Sequence, residues 1–330
     1  MRTIRNLFFL LIAALSLATA LGAWFALSPI PLASSPLDFS ISPGASLRLA
    51  SQQMAEAGLG FSPWQFTAMT RLANKATEIK AGSYEVAAGI TPWLLLKKLT
   101  RGDFSQAEIA LIEGKTFRQF RALLDAHPDL RHDSAGISDK DLLARIGGGE
   151  SHPEGLFFPD TYVFSKKTSD LDVLRRAYAA MKVHLGQEWE KRSPATPYAS
   201  PYEALIMASI IEKESGRPGD REAISAVFVN RLRLKMLLQT DQTVVYGMGE
   251  GFSGRLRKRD LLTDTPYNTY TRGGLPPTPI ATPSLASLQA ALHPSSSSML
   301  YFVARGDGSS EFSRDLDDHN RAVAKYLKGK

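Results

Sequence analysis

Between Leu7 and Leu27 the chain carries no charged residue. A run of that length is about the 20 residues a helix needs to cross a bilayer, so it has few other places to fold. Arg2 and Arg5 precede it and the next basic residue is Arg48, a bias that predicts a cytoplasmic N-terminus with everything after Leu27 across the membrane. A cleaved signal peptide competes with this reading, because Ala18-Thr19-Ala20 offers a small-x-small site. The apolar run continues past that site through Trp24 and Phe25, which favours a retained, single-pass anchor. On either reading the body is exported. Nucleic acid is then excluded as a partner, and a net charge of +6 points to a lipid surface or an acidic polymer.

With 330 residues and 44% hydrophobic content the chain can bury more than one core. It has no cysteine, which removes disulfides, thiolate metal sites and thiol nucleophiles. Residues 28–43, "SPIPLASSPLDFSISP", are rich in Pro and Ser and predict an extended linker. Three times thereafter a β-like run meets a Gly and then a helical run, with Ser46, Thr91 or Thr116 placed to cap the helix. These units imply a small α+β module. Gly114-Lys115-Thr116 imitates the end of a phosphate-binding loop, but the leading Gly would fall at Ile109, so the helix cap is the better reading.

From Gly114 the pattern is helical, with apolar spacing over Thr116–Ala126, Asp139–Ile146 and Leu171–Lys191, interrupted by the aromatic, Pro-punctuated "PEGLFFPDTYVF". A further helix opens at Ser200-Pro201-Tyr202-Glu203, which reads as a capping box, and stops before Gly216. Its end, "SIIEKESGRP", places Glu212 and Glu214 directly behind a run that reads as buried on every side. At about 100° per residue the two carboxylates lie about 200° apart and cannot share a site. Glu214 follows Met207, Ile210 and Ile211, whereas Glu212 follows Ala208 and Ser209. A carboxyl set among aliphatic side chains has its charged form disfavoured, as a general acid near neutral pH requires. Glu214 is therefore the better acid, with Glu212 and Lys213 turned to solvent or structural partners. These residues alone still leave room for two solvated glutamates in a last turn.

The blocks that follow carry Gln239-Thr240-Asp241, Tyr246 and Asn268-Thr269-Tyr270, amides, hydroxyls and aromatic faces suited to a sugar chain. Each can also be a turn or a loop bracket. Taken in order, "EGLFFPDTY", "MASIIEKES", "AVFVNRLRLKMLLQTDQTVVYGMG", "YNTYTRGGLPPTPIATPS" and "LHP…YFVA…HN" resemble the membrane-anchored endolytic murein transglycosylases, the YceG-like family. The match runs from Glu154 to Asn320.

The resemblance implies an α+β protein with an N-terminal membrane anchor. The expected division is a cytoplasmic segment 1–6, the anchor 7–27, the linker 28–43, a LysM-like α+β module 44–113 and a larger, mostly helical α+β catalytic domain 114–330. It implies cleavage of the MurNAc-β-1,4-GlcNAc bond inside peptidoglycan strands, with 1,6-anhydromuramyl ends, termination or trimming of nascent glycan, and peptidoglycan synthases (penicillin-binding proteins) as partners in the periplasm. The second glutamate of its E-K-E triplet, Glu214, falls on the catalytic position. Gln239, Asp241, Tyr246, Asn268 and Tyr270 are assigned to positioning glycan, with Asn230 and Glu154 in support. No metal or cofactor is required. Where many relatives place a His two residues before a Phe near the C-terminus, this chain has Ser310-Glu311-Phe312. The alternatives are a muramidase pairing Glu214 with Asp241 or Asp160, and a non-catalytic wall-binding scaffold. The six histidines show no ligand spacing, and the basic run Arg255–Arg259 reads as a solvated loop facing anionic wall or lipid.

Overall fold

The computed structural model describes residues 2–327; Met1 and residues 328–330, parts of the expected first and last domains, lie outside them. The chain forms two compact units, one of residues up to Glu108 together with Val163–Thr168, the other of Ile109–Tyr162 and Ser169 onward.

The first unit begins with α1 (Arg2–Leu27), followed by β1 (Leu37–Ile41), α2 (Leu47–Glu56), α3 (Pro63–Leu72), β2 (Gly82–Val86) and α4 (Pro92–Arg101). Ile4–Leu27 is 24 residues of high hydropathy with none of it buried, roughly 36 Å of apolar helix that water does not tolerate bare. β1 and β2 pair antiparallel with Phe39 opposite Tyr84, and the two rings stack at 5.5 Å. Leu37, Phe39 and Ile41 alternate inward onto Met54, Phe66, Leu95 and Leu99. The caps expected at Ser46 and Thr91 form, each side chain accepting from the N–H three residues on. The helix α3 gave no such signal, because Ser62 makes no side-chain cap and only Pro63 marks its start.

The segment expected as a loose linker is largely folded. Ile30 is buried and its N–H donates to the Ile90 carbonyl at 2.8 Å, and Leu32 forms a bridge with Leu59. Alternating apolar residues Ile30, Leu32, Leu37, Phe39 and Ile41 outweigh the prolines between them.

The chain continues through β3 (Gln106–Ala110), α5 (Phe117–Asp125), β4 (Leu130–Arg131), α6 (Asp139–Ile146), β5 (Thr161–Ser165), β6 (Thr168–Ser169) and α7 (Asp170–Glu190). Then come α8 (Pro201–Glu214), α9 (Arg221–Arg233), α10 (Asp241–Met248), α11 (Lys258–Leu262), α12 (Leu285–Leu292), β7 (Tyr301–Ala304), β8 (Ser310–Ser313) and α13 (Leu316–Leu327). The short strands pair β3 with β5, β4 with β6 and β7 with β8.

The second unit is built around α8, every residue of which from Ala204 to Ile211 is buried. A helix apolar on all sides must be surrounded, and α7, α9, α10 and α12 all pack against it. Ser200 caps it by accepting the Glu203 N–H at 3.3 Å. Glu203 reaches back to the N–H of Ala199 at 2.7 Å, one residue before the cap, so the box is opened by one position.

Candidate active site

The last helical residue of α8 is Glu214, after which Ser215 turns to extended backbone. Glu214 is half-buried, and desolvation of its carboxyl pushes its pKa up; the nearby Asp241 charge adds to the rise, and a hydrogen bond from the Thr240 hydroxyl opposes it. Thr240 is itself fixed. It is buried, its N–H donates to Thr269 Oγ1 at 3.1 Å, and its carbonyl accepts from Thr243 Oγ1 at 2.8 Å. The Thr243 and Thr269 hydroxyls lie 2.9 Å apart and close the ring. The donor that meets Glu214 is therefore held before substrate arrives, as transition-state stabilisation requires.

Below this ring lies a buried guanidinium. Arg231 donates through Nε to Leu300 O at 2.7 Å and through Nη1 to the carbonyls of Leu237 and Leu238 at 3.1 and 3.0 Å. Its charge is spread over carbonyls and over the Tyr301 ring at 4.9 Å. It also donates to Gln239 Oε1 at 3.3 Å, and Gln239 sits at φ +54. A left-handed conformation at a non-glycine residue is strained, and here it falls two residues before Asp241, at the turn that presents Thr240. Asp241 is exposed at the start of α10 and accepts from the Tyr270 hydroxyl at 2.6 Å.

A second carboxyl is more deeply buried. Glu154, 3% exposed, accepts the Phe117 N–H at 2.9 Å and the Tyr246 hydroxyl at 3.0 Å. Burial outweighs both bonds and pushes its pKa up to about 7. Gly155 beside it has φ +77, and a Cβ there would come within 2.6 Å of Pro279, so only glycine fits. A cavity of about 690 Å³ opens here, lined by Glu154, Tyr246, Tyr267, Gln242, Arg118 and Lys213. Glu214 is not among its walls. Lys213 lines it and donates to Gly114 O at 3.3 Å, so successive residues of α8 face different sides. The helix α10 carries Tyr246, which meets Glu154, and follows directly on Thr240, which meets Glu214.

Glu212 faces a third way. Its side chain is 6% exposed, and its Oε2 accepts the Ser284 N–H at 2.9 Å and the hydroxyls of Ser284 and Ser287 at 2.6 and 2.7 Å. Arg221 stands 3.7 Å away. It is an anion set on the N-terminus of α12, where the helix dipole favours it.

The model of the YceG-like family matches residues 39–325. The chain belongs to the YceG-like family. The chain is 33% identical over 279 residues to a Bacillus subtilis protein named endolytic murein transglycosylase, covering 77% of this chain and 75% of that one. It is 29% identical to a Streptococcus pneumoniae protein of the same name, again over 77% of this chain but only 52% of the relative. Among solved structures, a yceG-like protein from Listeria monocytogenes matches with a TM-score of 0.55 at 29% identity, covering 87% of this chain and 98% of that one.

Within this YceG-like chain the residues expected to touch glycan divide into two groups. Asp241 and Tyr270 lie near Glu214, with Gln239 on the turn beside Thr240, and Tyr246 meets Glu154. Asn268 does not join them. It is fully buried, its Nδ2 donates to the carbonyls of Asp260, Leu261 and Thr263, and its Oδ1 accepts the Tyr270 N–H. Every valence is spent on the loop, so it is a bracket that presents Tyr270. Asn230 uses both Nδ2 hydrogens within the fold, donating to Ser297 O at 2.7 Å and Met299 O at 3.0 Å. Asp160 is exposed and accepts the N–H of its neighbour Thr161. Ser310, standing where relatives have His, donates its N–H to Asp220 at 2.8 Å.

The sequence places Thr240 in a polar block without giving it a role and does not single out Arg231, because a Thr between Gln and Asp and an Arg in a basic helix end carry no distinguishing pattern. The histidines show no ligand spacing, yet the fold brings the ligand atoms of His132, Asp125 and Asp170 within 4.8 Å of one another. Asp170 already accepts the N–H and hydroxyl of Ser134 at 3.1 and 2.6 Å, which accounts for its burial without an ion.

Proposed function

We propose that this protein is an endolytic peptidoglycan lytic transglycosylase in which Glu214 is both acid and base. The observation that carries the reading is a carboxyl whose pKa burial raises and which one fixed hydroxyl meets. Glu214 gives its proton to the glycosidic oxygen as the bond to C1 of the muramic acid breaks. The C6 hydroxyl oxygen then bonds to C1, and its proton returns to the Glu214 carboxylate. One bond breaks, one forms, no water is consumed, and a 1,6-anhydro end remains. A hydrolase would need a second carboxylate to activate water or to form a covalent intermediate. Thr240 steadies the carboxylate between the two proton transfers, while Asp241, its hydroxyl partner Tyr270 and Gln239 line the approach to C1. The protein names of the relatives support the substrate.

In the same reading α1 is retained as a single-pass anchor with Arg2 and Arg5 on the cytoplasmic side and both units outside. The first unit serves as the LysM-like module, supported by its two-stranded sheet carrying helices, and synthases that extrude new glycan are the partners.

The test is mass spectrometry of peptidoglycan digested by the purified full chain. Anhydromuramyl ends are expected with wild type and absent with Glu214→Gln. Reducing ends would transfer the assignment to a muramidase, and no new ends to a wall-binding scaffold.

A further inference from the structure

The first unit leaves one face of α4 uncovered. Pro92, Leu95, Leu96 and Leu99 point into the core, while Trp93 and Leu94 are exposed at 37% and 48% together with Lys97 and Arg101. At about 100° per residue these four share a stripe about 100° wide. Lys97 Nζ sits 5.8 Å from the Trp93 ring centroid, and α4 contains no acidic residue. An aromatic and an aliphatic side chain flanked only by cations is the composition of a helix that lies in a lipid headgroup layer.

What covers this face follows from where the unit is fastened. α4 packs on α1, and Phe25, in the last turn of α1, packs against the core that holds Leu95, Leu96 and Leu99. Three residues beyond the end of α1, the Ile30 N–H is bonded to the carbonyl of Ile90, two residues before α4 begins. The first turn of α4, with Trp93 and Leu94, is thereby held close to the end of the span, where Trp24 and Leu27 are also exposed. The helix α3, which carries the comparable exposed pair Trp64 and Leu72, packs less on α1 than α4 does.

We propose that the outer face of α4 rests in the headgroup layer of the bilayer that α1 spans, with Trp93 and Leu94 entering it and Lys97 and Arg101 meeting anionic phospholipid. The proposal rests on the reading of α1 as a retained span. Docked in this way, the first unit is fixed in tilt and height above the membrane instead of swinging on a tether.

The absence of cysteine makes single-site labelling direct. The full chain carrying Leu94→Cys, Leu72→Cys or Leu15→Cys is labelled with an environment-sensitive fluorophore and reconstituted in phosphatidylcholine vesicles with or without phosphatidylglycerol, with spin-labelled lipids as quenchers. The label at position 94 is expected to be quenched at least twofold more than that at 72 by a shallow spin label, and that at 15 by a deep one. Lys97→Glu with Arg101→Glu should reduce quenching at 94 in the anionic vesicles. If 94 is no more quenched than 72 while 15 is quenched, the span stands and the docking face falls. If 15 is not quenched, the anchor itself falls. If the charge reversal changes nothing, anionic lipid is not the ligand.

Discussion

Glu212 and Glu214 are the same residue type, two positions apart on the same helix, and their surroundings differ. Glu212 is buried against two serines of α12 and beside Arg221, and all its donors come from the fold. Glu214 is half-buried, with one hydroxyl to meet it among the described residues. The first arrangement supports a charge and makes it structural. The second disfavours the charge and leaves a proton to give away. Burial alone therefore does not mark an acid; burial with few donors does.

The sharpest way to break this contrast is to remove the carboxylate at each position in turn. Glu214→Gln is expected to lower turnover by about 10²–10⁴-fold with unchanged melting, because the amide keeps the Thr240 bond and removes a disfavoured charge. Glu212→Ala is expected to destabilise by about 3–5 kcal/mol, since Arg221 and the α12 cap lose their anion together. Thermal melts of the two variants beside wild type decide it. Should Glu212→Ala melt with wild type, or Glu214→Gln melt well below it, the assignment of structural and chemical roles is reversed.

Glu154 tests the intermediate case, with two donors and deep burial. Its folded pKa of about 7 lies above the ordinary glutamate value of 4.5, so its contribution to stability is complete below pH 4.5 and is lost as pH rises through 7. The full loss is up to ~3 kcal/mol. Glu154→Gln cannot ionise, so urea titrations from pH 4 to 9 should show the wild type losing stability relative to the variant across that window. Parallel curves would mean that the two hydrogen bonds from Phe117 and Tyr246 hold the carboxylate ionised after all.

Much of this was legible before the fold. The capped helices α2, α4 and α5 follow from Ser46, Thr91 and Thr116 and their apolar spacing, and the boundaries expected for α5, α6 and α7 fall within a residue of those observed. The facing of Glu214 away from Glu212 needed only helix geometry. The rest depends on long-range partners. Nothing local says that Ser284 and Ser287, seventy residues on, satisfy Glu212 while Glu214 meets Thr240. Asn268 and Asn230 look like sugar-binding amides because composition records the donor and not the carbonyl it is spent on. Residues 28–43 look like a tether because prolines catch the eye and the buried Ile30 does not.

The subtlest expected effect lies at Thr240. Its hydroxyl favours the ionised form of Glu214, against burial and Asp241, which favour the neutral one. Thr240→Val keeps the shape and removes that donor. No bond elsewhere is lost, because the residue holds its turn through its N–H and carbonyl, bonded to Thr269 and Thr243. The pKa of Glu214 should then rise further, and the basic limb of the rate profile, where the acid is lost by deprotonation, should move to higher pH. The rate on the plateau should fall at the same time, since the carboxylate formed after the first proton transfer is less well met. Thr240→Ser should restore both. Ser284→Ala, which removes one donor from Glu212, provides the opposing control: it should lower the melting temperature and leave the rate profile where it was. A basic limb that stays fixed in Thr240→Val would show that Glu214 owes its ionisation to something other than the hydroxyl that faces it.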